Sequence, residues 1–205
     1  MNNIIFLVVL GLLSASALFD LIPWKLNVLA IPLAILVWAV LMYNSLVSMR
    51  NRVKEAWSDI EVQLKRRHNL IPNLVEAVKG YAVHEKGVFE KVTEARAAIS
   101  GAKDQKDLQR AENMLTGALK TLFAVSENYP ELKASTNFLE LQREIRDTED
   151  KIMASRRFYN NNVMSLNTQI ETVPTNFIAN MFKFKKADMF EIELEEERGV
   201  PEVKF

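Results

Sequence analysis

The chain has 205 residues and 26 basic against 26 acidic side chains, so its formal net charge is zero. No global positive field points to nucleic acid, and no nucleic-acid partner is expected. There is no cysteine, which excludes disulfides, thiol catalysis and thiolate metal sites. The length suits one domain plus an anchor. Charge is unevenly placed: residues 50–110 hold 13 Lys/Arg and 9 Asp/Glu, and residues 111–205 hold 12 and 16.

Two apolar runs open the chain. The second, residues 26–43 (LNVLAIPLAILVWAVLMY), meets with its flanks the roughly 20 residues that a spanning helix needs. Trp24 and Tyr43 sit at its ends, where amphipathic rings prefer the headgroup level. Pro32 is tolerable because membrane helices re-satisfy the freed carbonyl. The first run, residues 4–19 (IIFLVVLGLLSASALF), has two readings. It is a retained helix over residues 4–22, forming a hairpin with the second run, or it is a cleaved or re-entrant segment, since Ala15-Ser16-Ala17 has the pattern of a signal-peptidase site. Arg50, Arg52, Lys54, Lys65, Arg66 and Arg67 follow the second run, with only Lys25 on its other side. The positive-inside bias therefore predicts a cytoplasmic domain after Tyr43.

No Gly interrupts residues 33–71, and Val53, Trp57, Ile60, Leu64, Ile71, Val75 and Val78 recur at spacings of three and four. One stripe position is missing near His68. The pattern predicts a single helix leaving the bilayer, about 60 Å over those 39 residues at ~1.5 Å each. Pro72 should bend it without ending it. Trp57, Leu64, Ile71, Pro72, Leu74 and Tyr81 are the candidate packing and interaction residues. Lys65, Arg66 and Arg67 are candidates for a lipid headgroup, against the plainer reading of a solvated basic face.

A second helix is expected over residues 84–100, with Val88, Phe89, Val92, Ala95 and Ile99 inward and Gly101 just past its end. A third opens at Asp104 as N-cap, with Leu108, Ala111, Leu115, Ala118, Leu122 and Val125 inward, and ends at Asn128-Tyr129-Pro130. A fourth begins after Ser135 or Thr136, carries Phe138, Leu141, Ile145, Ile152 and Phe158 inward, and runs to about Ile170, where Pro174 stops it. Glu140–Arg143 and Asp147–Lys151 fit helical ion-pair spacing. The sequence thus predicts an all-α protein: an N-terminal transmembrane helix or helical hairpin continuing into an antiparallel bundle of long helices with coiled-coil character. Its organisation is an anchor over residues 1–45, a bundle over 46–182 and a C-terminal tail over 183–205. Residues 176–190 mix aromatics with Lys183, Lys185 and Lys186, and six glutamates follow. The end of the chain is either a solvated tail or a segment lying on the bundle, a neighbouring subunit or the membrane surface.

Catalytic patterns are missing. The chain has two histidines. Lys65 stands three before His68 and Tyr81 three before His84, so neither forms the Glu-x-x-His pair of a di-metal bundle. His-Glu-x-x-His and phosphate-cradling glycine loops are absent too. No metal, cofactor or enzymatic activity is expected. His68 reads as a half-buried histidine with a hydrogen-bond partner, or as a pH-sensitive group.

Three blocks carry a family resemblance. Residues 66–82 (RRHNLIPNLVEAVKGYA) form the first, residues 127–134 (ENYPELKA) with 137–160 (NFLELQREIRDTEDKIMASRRFYN) the second, and residues 173–182 (VPTNFIANMF) the third. Together they resemble the LemA family over about residues 43–190. The resemblance implies a bacterial membrane protein with an antiparallel helical bundle and a cytoplasmic domain, and it brings no catalytic residue, cofactor or substrate. It also implies an association with membrane-associated proteases. The run at residues 4–19 departs from the family's usual single anchor. The expected function is a self-assembling membrane-anchored scaffold or adaptor of the bacterial envelope, the alternative a sensor or regulator of a membrane protease or envelope stress response. The expected partners are membrane lipid, further copies of the chain, and a protease or other membrane protein.

Overall fold

The computed structural model describes residue 11 and residues 24–190, with side chains from residue 31 onward. Among these residues every regular element is a helix: α1 Trp24–Lys79, α2 Lys86–Gly101, α3 Gln105–Ser126, α4 Pro130–Ala134, α5 Thr136–Glu171 and α6 Thr175–Met181. The protein is all-α, and a long apolar helix leads into the helical region, as the periodicity predicts. The expected helix over residues 4–22 lies outside the described residues apart from position 11.

α1 has 56 residues and no glycine. It passes through both Pro32 and Pro72 and ends at Lys79, with Gly80 in the turn that follows. Each proline forfeits one backbone donor, and burial of the residues around Pro72 (Ile71, Leu74 and Val75) supports the helix there.

The described residues fall into two compact units, one of residues up to Ala56 with Tyr159–Met189, the other of Trp57–Phe158 with Phe190. The second unit holds the main core. Ile71, Leu74 and Val78 of α1 meet Phe89 and Val92 of α2, Leu115 and Leu122 of α3, Leu132 of α4, and Phe138 and Ile145 of α5. Helix directions follow from side-chain pairs. Lys79 lies over the Phe89 ring at 5.9 Å and His68 lies 3.4 Å from Arg96, so α1 and α2 run in opposite directions. Phe123 and Phe138 stack at 6.5 Å, while Glu112 and Glu149 both reach Arg67, so α3 and α5 are likewise antiparallel.

Local chemistry sets the helix ends. Asp104 Oδ1 accepts from the Asp107 amide at 2.8 Å, capping α3 as expected. Pro130 opens α4, where its missing amide costs nothing. That short helix, and α6, are too brief for periodicity to reveal. α2 starts at Lys86, two residues later than expected, and Gly101 is its last residue, with Ala102 as the cap.

The stripe on α5 corrects one expectation. Phe158 is 53 % exposed and Tyr159 is buried in its place. Buried positions run 138, 141, 145, 148, 152, 159, 163, 166 and 170, and a step of seven from Ile152 keeps the helical phase where a step of six does not. Thr148 sits in that stripe because its hydroxyl donates to the Ile145 carbonyl at 2.7 Å.

In the first unit Trp38, Met42 and Leu46 of α1 are buried, as are Val163, Leu166 and Ile170 of α5 and Ile178 and Ala179 of α6. α6 ends in a reversal: the Phe184 amide donates to Ala179 O at 2.9 Å and the Lys183 amide to Asn180 O at 3.1 Å, with Lys183 in the left-handed region at φ 56°. This is a Schellman turn with lysine where glycine is usual. The chain that follows is tied to α5. Asn167 accepts from the Ala187 amide at 3.0 Å and donates to its carbonyl at 2.9 Å, and the Tyr159 hydroxyl donates to Asp188 O at 2.9 Å. In the second unit Phe190 is buried, 6.0 Å from Trp57 and 4.3 Å below the Arg156 guanidinium. Up to Phe190 the C-terminal stretch is therefore packed, not solvated. Residues 191–205 lie outside the described residues.

Candidate functional site

The α1 stripe contains one charged residue. Arg67 follows Leu64 by three and precedes Ile71 by four, so helical geometry turns it inward, and its exposure is 0 %. The headgroup and solvated-face readings of Arg67 are thereby corrected. Its Nη2 donates to Glu112 Oε2. Its Nη1 donates to Glu149 Oε2 at 3.0 Å and to Thr116 Oγ1 at 3.3 Å. One guanidinium thus ties α1 to α3 and α5. Lys65 and Arg66, on the outer face, are exposed, and Arg66 lies 3.7 Å from Asp147.

Glu112 is as buried as its partner. Its Oε1 accepts no hydrogen bond among the described residues. Burial pushes the carboxyl above the usual carboxylate range, opposed by the charge and hydrogen bond of Arg67. Beside it, an open groove of about 230 Å³ is bordered by Lys65, His68, Ile99 and Glu112. His68 Nε2 meets Arg96 at 3.4 Å and its Nδ1 has no hydrogen-bond partner among the described residues. Burial and the Arg96 charge both lower its pKa.

The other sequence-selected residues are placed as follows. Leu64, Ile71 and Leu74 are buried, Pro72 and Trp57 half-buried. Trp57 Nε1 donates to Glu61 Oε1 at 2.7 Å. Tyr81 is 43 % exposed and lies outside the main core of the second unit. It lies in the turn after α1, where the helical stripe has ended and Ala82 takes the buried position. Sequence reasoning missed Glu112 and Glu149. The signal available was a carboxylate beside Ala111 on a predicted inner face, with an unmatched arginine elsewhere in a stripe.

The N-terminal portion of α1 has a different surface. Leu33, Leu36, Val37, Val40 and Leu41 are all more than half exposed. By length and composition this helix is able to cross a membrane. Near the end of the apolar run, the Thr175 hydroxyl lies 3.9 Å from Met42 Sδ, and the Tyr43 ring lies 4.7 Å from Phe182 and 5.9 Å from Phe184. Arg50 stands 5.4 Å over Phe184.

A long helix able by length and composition to cross a membrane leads into an all-α region, and with the relatives below this suggests a membrane-associated helical protein. The LemA family model matches residues 56–205, and the chain belongs to the LemA family. It is 31 % identical over 153 residues to Protein LemA of Metamycoplasma hominis, covering 73 % of this chain and 66 % of that one. It is 27 % identical over 175 residues to Magnetosome protein MamQ 2 of Paramagnetospirillum magneticum, covering 73 % and 64 %. Magnetosome protein MamQ of Magnetospirillum gryphiswaldense is 25 % identical over 174 residues, covering 72 % and 64 %. The matches thus span just under two thirds of these relatives' lengths.

Proposed function

We propose that this protein is a non-enzymatic, membrane-anchored scaffold or adaptor of the bacterial inner membrane, with its helical domain on the cytoplasmic side and further copies of itself as partners. The observation that carries this reading is the continuity of α1. One helix supplies both the exposed apolar segment around Leu33–Leu41 and the core residues Ile71, Leu74 and Val78. No loop separates anchor from domain, an arrangement suited to presenting a domain from a membrane surface. The basic residues after Tyr43 support the cytoplasmic side. The MamQ relatives fit a membrane-associated helical protein.

The deciding measurement is the mass of the full-length protein in mild detergent, by light scattering corrected for bound detergent. A particle several times the protomer mass is expected. A bare monomer, with no further copies and no stoichiometric second protein, would sink the scaffold reading. Orientation is tested separately: Ser58→Cys in this cysteine-free chain should resist an impermeant maleimide in intact cells, and labelling from outside would reverse the assignment.

A further inference from the structure

α6 presents its apolar face outward. Thr175, Ile178 and Ala179 are buried against the first unit. On the other side Val173, Phe177 and Met181, spaced four apart, are 67 %, 66 % and 71 % exposed, and Phe182 beside them is 53 % exposed. A surface helix ordinarily shows water its polar side, and contiguous exposed apolar patches mark contact sites.

The location of this face identifies what covers it. Thr175 is in contact with Met42, and Phe182 packs on Tyr43. Met42 and Tyr43 close the apolar run of α1, and Asn44 and Ser45 follow. α6 therefore sits at the level where α1 changes from apolar to polar, just past the exposed Val40 and Leu41 in the sequence. In a spanning helix that level is the bilayer interface, where aromatic rings concentrate. Just beyond, Lys183 and Lys185 are exposed and Arg50 stands over Phe184. Lys186 is paired with Glu171, and Asp188 is exposed nearby. The chain thus runs from apolar to basic side chains in the order that a bilayer runs from acyl chains to headgroups, and long lysines reach outward from such a boundary.

We propose that Val173, Phe177, Met181 and Phe182 form a second membrane contact, with α6 lying in the interfacial layer of the same bilayer that α1 crosses. This rests on the reading of α1 as a spanning helix. A second copy of the chain is the competing occupant. Exposed apolar residues Val40 and Leu41 at nearly the same level of α1 favour lipid, because a bilayer reaching that level covers both patches at once.

The test uses the full chain, which has no cysteine to remove. Phe177→Cys and, separately, Met181→Cys are spin-labelled and reconstituted, in the oligomeric state extracted by mild detergent, in nanodiscs of phosphatidylcholine and phosphatidylglycerol. Collision rates with lipid-soluble oxygen and a water-soluble nickel chelate then report depth. Leu36→Cys reports the span and Leu139→Cys an exposed site of the other unit. The expected result is an oxygen-to-nickel ratio at 177 and 181 several-fold above that at 139. A ratio at 177 and 181 equal to that at 139, with 36 deep in lipid, overturns the interfacial contact and leaves the anchor standing. Shielding from both reagents at 177 and 181 means that protein covers the face, and also overturns it. A water-like ratio at 36 refutes the anchor reading itself, and the proposal with it.

Discussion

The Arg67 guanidinium and the Glu112 carboxylate, 45 positions apart, form an ion pair with both side chains withdrawn from water. A buried pair need not stabilise a fold more than apolar residues of the same volume, because each ion has lost its hydration. Breaking it is another matter. Arg67→Met takes from Glu112 and the partly exposed Glu149 the cation that hydrogen-bonds them, with only the Arg156 charge left nearby, and a loss of about 3 kcal/mol is expected. The double variant Arg67→Met/Glu112→Leu should recover much of that loss. Denaturant unfolding of the full chain in detergent, followed by far-ultraviolet circular dichroism, compares the two. If the double variant is no more stable than the single one, the pair contributes more than mutual neutralisation.

Two shifted groups give pH slopes of opposite sign. The Glu112 pKa is raised by burial above the ordinary value of 4.5. The folded state therefore holds this proton more tightly, and stability falls as pH rises from 4.5 through the raised value. The His68 pKa is lowered from 6.5 by burial and by Arg96. Here the unfolded state takes the proton first, so the contribution is complete above 6.5 and fades as pH falls through the lowered value. Glu112→Gln and His68→Gln should each remove one slope from a plot of stability against pH. A wild-type profile with both slopes intact in these variants would show that other groups are responsible.

Phe190 joins residues far apart in the sequence, resting between Trp57 and Arg156. Phe190→Ala should cost about 3 kcal/mol, the usual range for emptying a buried aromatic site. Thermal melts of full-length protein provide the check. An unchanged midpoint would mean that the segment peels away at no cost.

Lys183 occupies a backbone conformation that side chains avoid. Lys183→Gly should stabilise the protein by about 1 kcal/mol, and Lys183→Ala should give no such gain, since alanine keeps the Cβ. Equal effects from both would locate the effect in lost charge.

The four longer helices and most of their boundaries were legible because α1, α3 and α5 each repeat their apolar residues for many turns. The family motifs were legible as strings. The ion cluster was half legible. A gap in the stripe was visible between Leu64 and Ile71, but His68 drew attention there because it is the residue type associated with switches. Three steps from Leu64 lead to Arg67, and its partners sit 45 and 82 residues away, beyond the reach of any local pattern. Tyr159 was missed by one position for a related reason: Phe158 is the more apolar residue, while helical phase and the hydroxyl's bond to Asp188 decide for its neighbour. α6 was hidden by its brevity and by the neighbouring prolyl and lysyl residues.

The sequence separation within the ion cluster has a consequence for biosynthesis. A ribosome releases Arg67 well before Glu112, and Glu112 before Glu149. The growing chain thus carries a cation destined for the interior, close behind the long apolar segment of α1, with neither carboxylate partner yet made. Ile71 and its neighbours can close over that charge only after the first part of α5, through Glu149, has emerged. Membrane insertion would come early and domain closure late, leaving the unfinished bundle tethered and open through the latter part of its own synthesis.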